Sequence, residues 1–269
     1  MGDTKLDHVA LAVRRWSDAR AVLVEGLGGR WLGGVRTPEY NPGQLSFANG
    51  MRVELLEPGP HSSSFLNRFV ERSGAGPHHV TFKVDDIRAA IKRARDAGFE
   101  IVRERLDNPT WQEAFLHPKS TGVGFVIQLA QTTIDPQKAM SSSPASVDAD
   151  GAGLANETGT EAAAIPFFTA AVPDLASATK ILTELLHGRV TGEGSYDGVS
   201  YRSVSWQQET ASIVLTTGGA NGVGTPTIGI KAIAATGTKP GLPVDRVADG
   251  WVVTPVIAEL GVRLLTQPG

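Results

Sequence analysis

The chain repeats itself, and the repeat limits what it can fold into. Residues 6–13, LDHVALAV, and 77–84, PHHVTFKV, are alternating apolar runs with a histidine at the same place in each. Residues 52–58, RVELLEP, and 125–131, FVIQLAQ, form a second matched pair. The first match sets His8 against His79, 71 residues on, and the second sets Glu54 against Gln128, 74 residues on. Self-similarity at a fixed offset marks one supersecondary unit used more than once.

Both copies have the same grammar. In the first, the alternation over 6–13 predicts a strand. SDARAVLVEGLG (17–28) opens on a Ser/Asp cap and closes in glycine, which predicts a helix. QLSFA (44–48) and MRVELLEP (51–58) predict strands, with Asn49-Gly50 as the hairpin signal between them. In the second, HHVTFKV is a strand, Asp85-Asp86 caps a helix over 87–98, and EAFLHP and GFVIQLAQ are strands joined by a turn from Pro118 to Gly122. The order is β-α-β-β-β twice, over 5–58 and 77–131, so an α+β fold of tandem βαβββ modules is expected. Two modules packed about a pseudo-twofold axis would bring His8, Glu54, His79 and Gln128 together. Two imidazoles and two side-chain oxygens suit a divalent first-row metal, with positions left for water or substrate.

Composition narrows the chemistry. The chain has no cysteine, which removes disulfides, thiolate nucleophiles and thiolate zinc sites. Five of the six histidines (His8, His61, His78, His79 and His117) lie in the first half, so imidazole chemistry belongs there. Of these, His78 faces away from any site that His79 faces, because neighbouring strand residues point to opposite faces. A net charge of −3 over 269 residues gives no basic footprint for nucleic acid. No apolar run reaches the ~18 residues of a membrane span, and the start of the chain lacks the pattern of a secretory signal, so a cytoplasmic protein is expected. The glycine-rich runs GLGGRWLGG (26–34) and GGANGVG (218–224) do not have the placement of nucleotide-binding loops.

The segments LDHVALAV, MRVELLEP, GPHHVTFKVDDI and AFLHPKSTGVGFVIQL, in this order and spacing over about residues 5–131, resemble the vicinal oxygen chelate superfamily of glyoxalases, epimerases and extradiol dioxygenases. Within it they are most similar to methylmalonyl-CoA epimerases. The resemblance implies metal ligands at His8, Glu54, His79 and Gln128, and proton-transfer groups at Glu54 and, in the loop before the second strand pair, Glu39. Gln128 departs from the epimerase pattern, which has a carboxylate there. An amide oxygen can bind a metal but cannot accept and return a proton near neutral pH.

Residues 132–160 are rich in Ser, Ala, Thr, Gly and Asp and have no aromatic, and are expected to be a flexible linker. Beyond it, FFTAAVPDLASATKILTELLHG (167–188), ASIVLTT (211–217) and GVRLLTQ (261–267) resemble the same module parts again. Registering them puts Phe167 where His8 stands, Val214 at Glu54, Thr227 at His79 and Leu265 at Gln128. The expected division is therefore a metal-site domain over 1–131 and a degenerate domain without metal ligands over 161–269.

Three functions follow from the resemblance. The first is a metal-dependent isomerase or lyase of glyoxalase or epimerase type, using cobalt, manganese, nickel, zinc or iron to stabilise the enolate of a small carbonyl or acyl-CoA substrate. The second is a protein that sequesters a small molecule without turnover. The third is an extradiol-type dioxygenase. The partner in each is a small molecule, not nucleic acid or membrane, and the two-domain plan leaves room for a homodimer.

Overall fold

The computed structural model describes residues 4–61, 63–155, 161–196, 199–206, 211–217, 229–236, 245–246 and 252–267. Module one runs through β1 (Thr4–Ala12), a helical segment Trp16–Gly26, β2 (Arg30–Val35), β3 (Tyr40–Ser46) and β4 (Arg52–Pro58). A helix absent from the sequence expectation, α1 (Phe65–Ser73), leads to module two: β5 (Gly76–Val84), α2 (Ile87–Asp96), β6 (Ile101–Arg105), β7 (Trp111–Leu116), the single turn α3 (Pro118–Thr121) and β8 (Val126–Thr132). Between the halves lie α4 (Pro136–Ser141) and β9 (Ser146–Val147). Module three comprises β10 (Phe167–Val172), α5 (Leu175–Lys180) continuing through Ile181–Leu185, β11 (Arg189–Tyr196), β12 (Val199–Ser205) and β13 (Ser212–Thr217). Module four contributes β14 (Gly229–Thr236), β15 (Asp245–Arg246), β16 (Val252–Val253) and β17 (Arg263–Gln267).

Within every module the strands lie side by side in the order first, last, third, second: β1-β4-β3-β2, β5-β8-β7-β6, β10-β13-β12-β11 and β14-β17-β16-β15. In modules one to three the first and last strands are parallel and the remainder antiparallel. The stagger of the parallel pair is also constant. Ala10 lies opposite Glu54, Thr81 opposite Gln128 and Thr169 opposite Val214. His8, His79 and Phe167 each stand two residues earlier on the first strand, on the same face as that partner. Thr227 lies outside the described residues.

The chain gathers into two compact units, each drawing on both halves of the sequence. One comprises Met1–Asp7, His79–Thr133 and Phe167–Ala232, which is most of module two and all of module three with the first residues of β1 and β14. Its core includes Phe82 and Trp206 with ring centroids 5.0 Å apart, and the Trp206 indole donates to the Leu186 carbonyl at 2.7 Å. The other unit comprises His8–His78, Ile134–Pro166 and Ile233–Gly269. There Trp16 meets Trp31 edge-on at 5.2 Å, and Tyr40, Phe65 and Phe69 pack on Ala10, Ala12, Leu56, Leu66 and Val70. The division expected at 132–160 follows the sequence repeat; these units follow packing.

Within residues 132–155, whose composition reads as a linker, the chain makes local contacts with module one. β9 pairs antiparallel with β2, the Trp31 indole donates to the Val147 carbonyl at 3.0 Å, and Ala152 and Leu154 are buried. Two buried apolar residues, one captured carbonyl and a short strand pairing suffice to anchor a segment whose composition reads as polar. Residues 156–160 lie outside the described residues. Further on, Asn49 is hydrogen-bonded through both side-chain atoms to the backbone of Ile165. Gly28 (φ 64°) and Gly261 (φ 63°) have left-handed backbone, and a Cβ at either would run into the backbone of Glu161 or Ala75 respectively. Among the described residues no helix is long and apolar enough to cross a membrane.

Candidate metal centre

The site begins with alternation along β1 and β4. His8, Ala10 and Ala12 share a face with Arg52, Glu54 and Leu56. His8 is 1 % and Glu54 8 % exposed, and His8 Nε2 lies 3.5 Å from Glu54 Oε2. Gln44, buried on β3 directly opposite Glu54, accepts from Arg52 Nη1 at 3.0 Å. A carboxylate in such surroundings is costly unless a positive group neutralises it.

His79 completes the set. One ligand atom from each of His8, Glu54 and His79 lies within 4.8 Å of the others, and all three residues are buried. The His79 ring stands edge-on to Phe115 at 5.8 Å. Two imidazoles and a carboxylate, withdrawn from water at this spacing, fit a divalent first-row metal. They contain no soft sulfur ligand that would favour a monovalent copper ion.

Gln128, the fourth residue of the expected set, is buried on β8. Its Oε1 accepts from Thr81 Oγ1 and its Nε2 donates to Glu113 Oε2 at 2.8 Å. Glu113 is 5 % exposed and also accepts from the Trp111 indole at 2.9 Å. This second buried carboxylate was missed by the sequence reading. The signal for it was present: Trp111, Glu113 and Phe115 alternate onto one face, and Phe115 lies opposite Gln128.

Glu39 is not brought to the group. It is exposed, in the bend before β3. Gln44 is the β3 residue opposite Glu54. Tyr40 is already about 13 Å further along the strand at ~3.3 Å per residue, and Glu39 lies beyond it. His78 faces away from His79, against the rings of Phe65 and Phe69 at 5.5 and 5.4 Å. Burial pushes its pKa down to about 4, and the Glu54 charge opposes that only in part, so it is neutral near pH 7.

Comparison with known proteins agrees with this architecture. The family model of the glyoxalase/bleomycin resistance protein/dioxygenase superfamily matches residues 7–115. Human mitochondrial methylmalonyl-CoA epimerase is 31% identical over 134 residues, covering 47% of this chain and 73% of that protein. The chain belongs to this superfamily. Another similar member is the ethylmalonyl-CoA/methylmalonyl-CoA epimerase of Cereibacter sphaeroides, 28% identical, covering 47% of this chain and 97% of that protein. Over its whole length the chain has the fold of a mutant 4-hydroxymandelate synthase from Streptomyces coelicolor, with a TM-score of 0.67, 14% identity and 94% of that chain covered.

Proposed function

We propose that the chain is a divalent-metal-dependent enzyme of the epimerase or glyoxalase type, acting on a small carbonyl or acyl-CoA substrate. The observation that carries this reading is the buried His8–Glu54–His79 group, with ligand atoms within 4.8 Å. Gln128 is read as the fourth donor, through its amide oxygen. A bound divalent ion would supply Lewis acidity at the carbonyl oxygen, lowering the energy of the enolate formed when the neighbouring carbon loses a proton.

The residues divide the remaining work. His8 and His79 are read as the imidazole ligands. Glu54 is the carboxylate of the group and is read as the base that accepts the carbon-bound proton and returns it. Gln128 cannot share that task, since an amide has no proton affinity near neutral pH. The reading is therefore one-base chemistry, in which proton exchange with solvent competes with return to the same carbon. Ala10, Ala12 and Leu56, buried on the same face as His8 and Glu54, would limit the access of bulk water to the developing charge.

The similarity to methylmalonyl-CoA epimerases makes a 2-substituted acyl-CoA the first substrate to try. The protein, loaded in turn with cobalt, manganese, nickel, zinc and ferrous iron, is incubated with methylmalonyl-CoA in deuterated water, and deuterium at the α-carbon is followed by NMR. Exchange that disappears in Glu54→Gln supports the proposal. The amide of Gln128, where the epimerase pattern has a carboxylate, favours one other reading, a binding protein without turnover, which predicts tight ligand binding and no exchange with any metal. Oxygen uptake with ferrous iron in place of exchange would point instead to a dioxygenase.

A further inference from the structure

We infer that Glu113 is a positioning residue for Gln128, fixing which end of its amide is offered to the cation. The inference rests on Gln128 being the fourth donor. Gln128 sits on β8, flanked by β7 on one side and β5 on the other. Its Nε2 donates to Glu113 Oε2 on β7 at 2.8 Å, while its Oε1 accepts from Thr81 Oγ1 on β5. Thr81 follows His79 by two residues and shares its face. The amide oxygen is thus turned toward the strand that carries His79, and the nitrogen away from it.

This orientation matters because only one end of an amide binds a metal. Rotated by half a turn, Gln128 would present an NH2 group, which has no lone pair to give. Thr81 cannot decide between the two states, because a hydroxyl donates or accepts equally well. Glu113 can, because a carboxylate only accepts and so tolerates only the NH2 end beside it. Glu113 is itself held by the Trp111 indole at 2.9 Å and is 5 % exposed. Its two hydrogen-bond partners are neutral, which makes its burial costly for stability alone. A carboxylate kept in such a place to orient a ligand's amide accounts for that cost.

The test titrates the full chain with Co2+ and follows the visible absorption bands and the affinity. Four proteins are compared: parent, Gln128→Ala, Glu113→Gln, and the exchange variant carrying both Glu113→Gln and Gln128→Glu. The expected result is one Co2+ per parent chain. Affinity falls roughly tenfold or more in Glu113→Gln, as for loss of an outer-sphere partner, with shifted bands resembling those of Gln128→Ala. The exchange variant, which restores one donor facing one acceptor, recovers the affinity. Parent-like affinity and bands in Glu113→Gln, beside a loss in Gln128→Ala, overturn the inference and leave the proposed metal site standing. A parent that takes up no Co2+ overturns the metal site itself, and the inference with it. If Glu113→Gln does not fold, Glu113→Asp draws the carboxylate back by one methylene, and unchanged Co2+ binding there overturns the inference equally.

Discussion

Glu54 sits in a strand whose neighbours Val53, Leu55 and Leu56 are buried, and its own carboxylate is buried with them. Replacing it by leucine removes a desolvated charge, so the metal-free chain should melt at an equal or higher temperature. The stabilisation by added Co2+, about 2.7 kcal/mol at a hundredfold excess over Kd, should vanish with it. Calorimetry with and without Co2+ checks both halves of that statement, and a persistent metal-dependent rise removes Glu54 from the ligand set. His187 supplies a prediction about protons. Burial first, then the charge of Arg93, holds its pKa below the ordinary histidine value. The unfolded chain therefore takes up the proton first as pH falls, so the stability this residue lends at neutral pH is lost on acidification through the ordinary histidine range. His187→Gln should flatten that part of a plot of urea midpoint against pH. His8 and His79 were legible in the sequence because each vouches for the other through the repeat. Glu113 has no such counterpart, and its burial is set by β7 lying against β8, a pairing that composition does not announce. Glu39 lies exposed before β3, and an acidic residue in a loop carries no record of how far the loop lies from the site.

Three strands in each of the first two modules were readable from alternation and turn signals, while β2 and β6 were not; the cap at Asp86 stands where expected, accepting from Ala89, and Asp174 caps α5 in the same way, accepting from Ser177. The form of the first helix was not readable. Trp16–Ala19 is a tight 3-10 turn, and Arg20–Gly26 winds wide, with the Leu27 amide reaching back to Val22. Asp18 bonds to the backbone of Arg15 ahead of it, and Ser17 caps nothing. Ring size within a helix depends on what its side chains must reach, and local propensity is silent on that. The helix in module three widens in the same way over Ile181–Leu185 and ends at His187, whose φ is 58°. That left-handed position favours glycine, and His187→Gly should raise stability by roughly 0.5–1 kcal/mol, seen as a higher melting temperature. Gly261→Ala should do the reverse, since its new methyl group meets the Ala75 carbonyl.

At the scale of the molecule, packing does not follow the chain's own punctuation. Phe82 of module two is buried against Trp206 of module three, and the Trp31 and Asn49 side chains of module one donate to the backbone carbonyls of Val147 and Ile165. A chain stopped after Thr133 should therefore unfold at lower urea than the full protein, by at least the ~3–5 kcal/mol of a large aromatic truncation. An unchanged midpoint would show that the first half stands alone, as its sequence repeat suggests. The constant stagger of first and last strands has a different consequence. It belongs to the backbone, so whatever side chains are placed at those two positions inherit their separation. Module three holds Phe167 and Val214 there, both only half-buried. Writing histidine and glutamate into them would graft half of a chelate onto ground that needs no reshaping, which makes this chain a scaffold with room for a second cation as well as the owner of one candidate site.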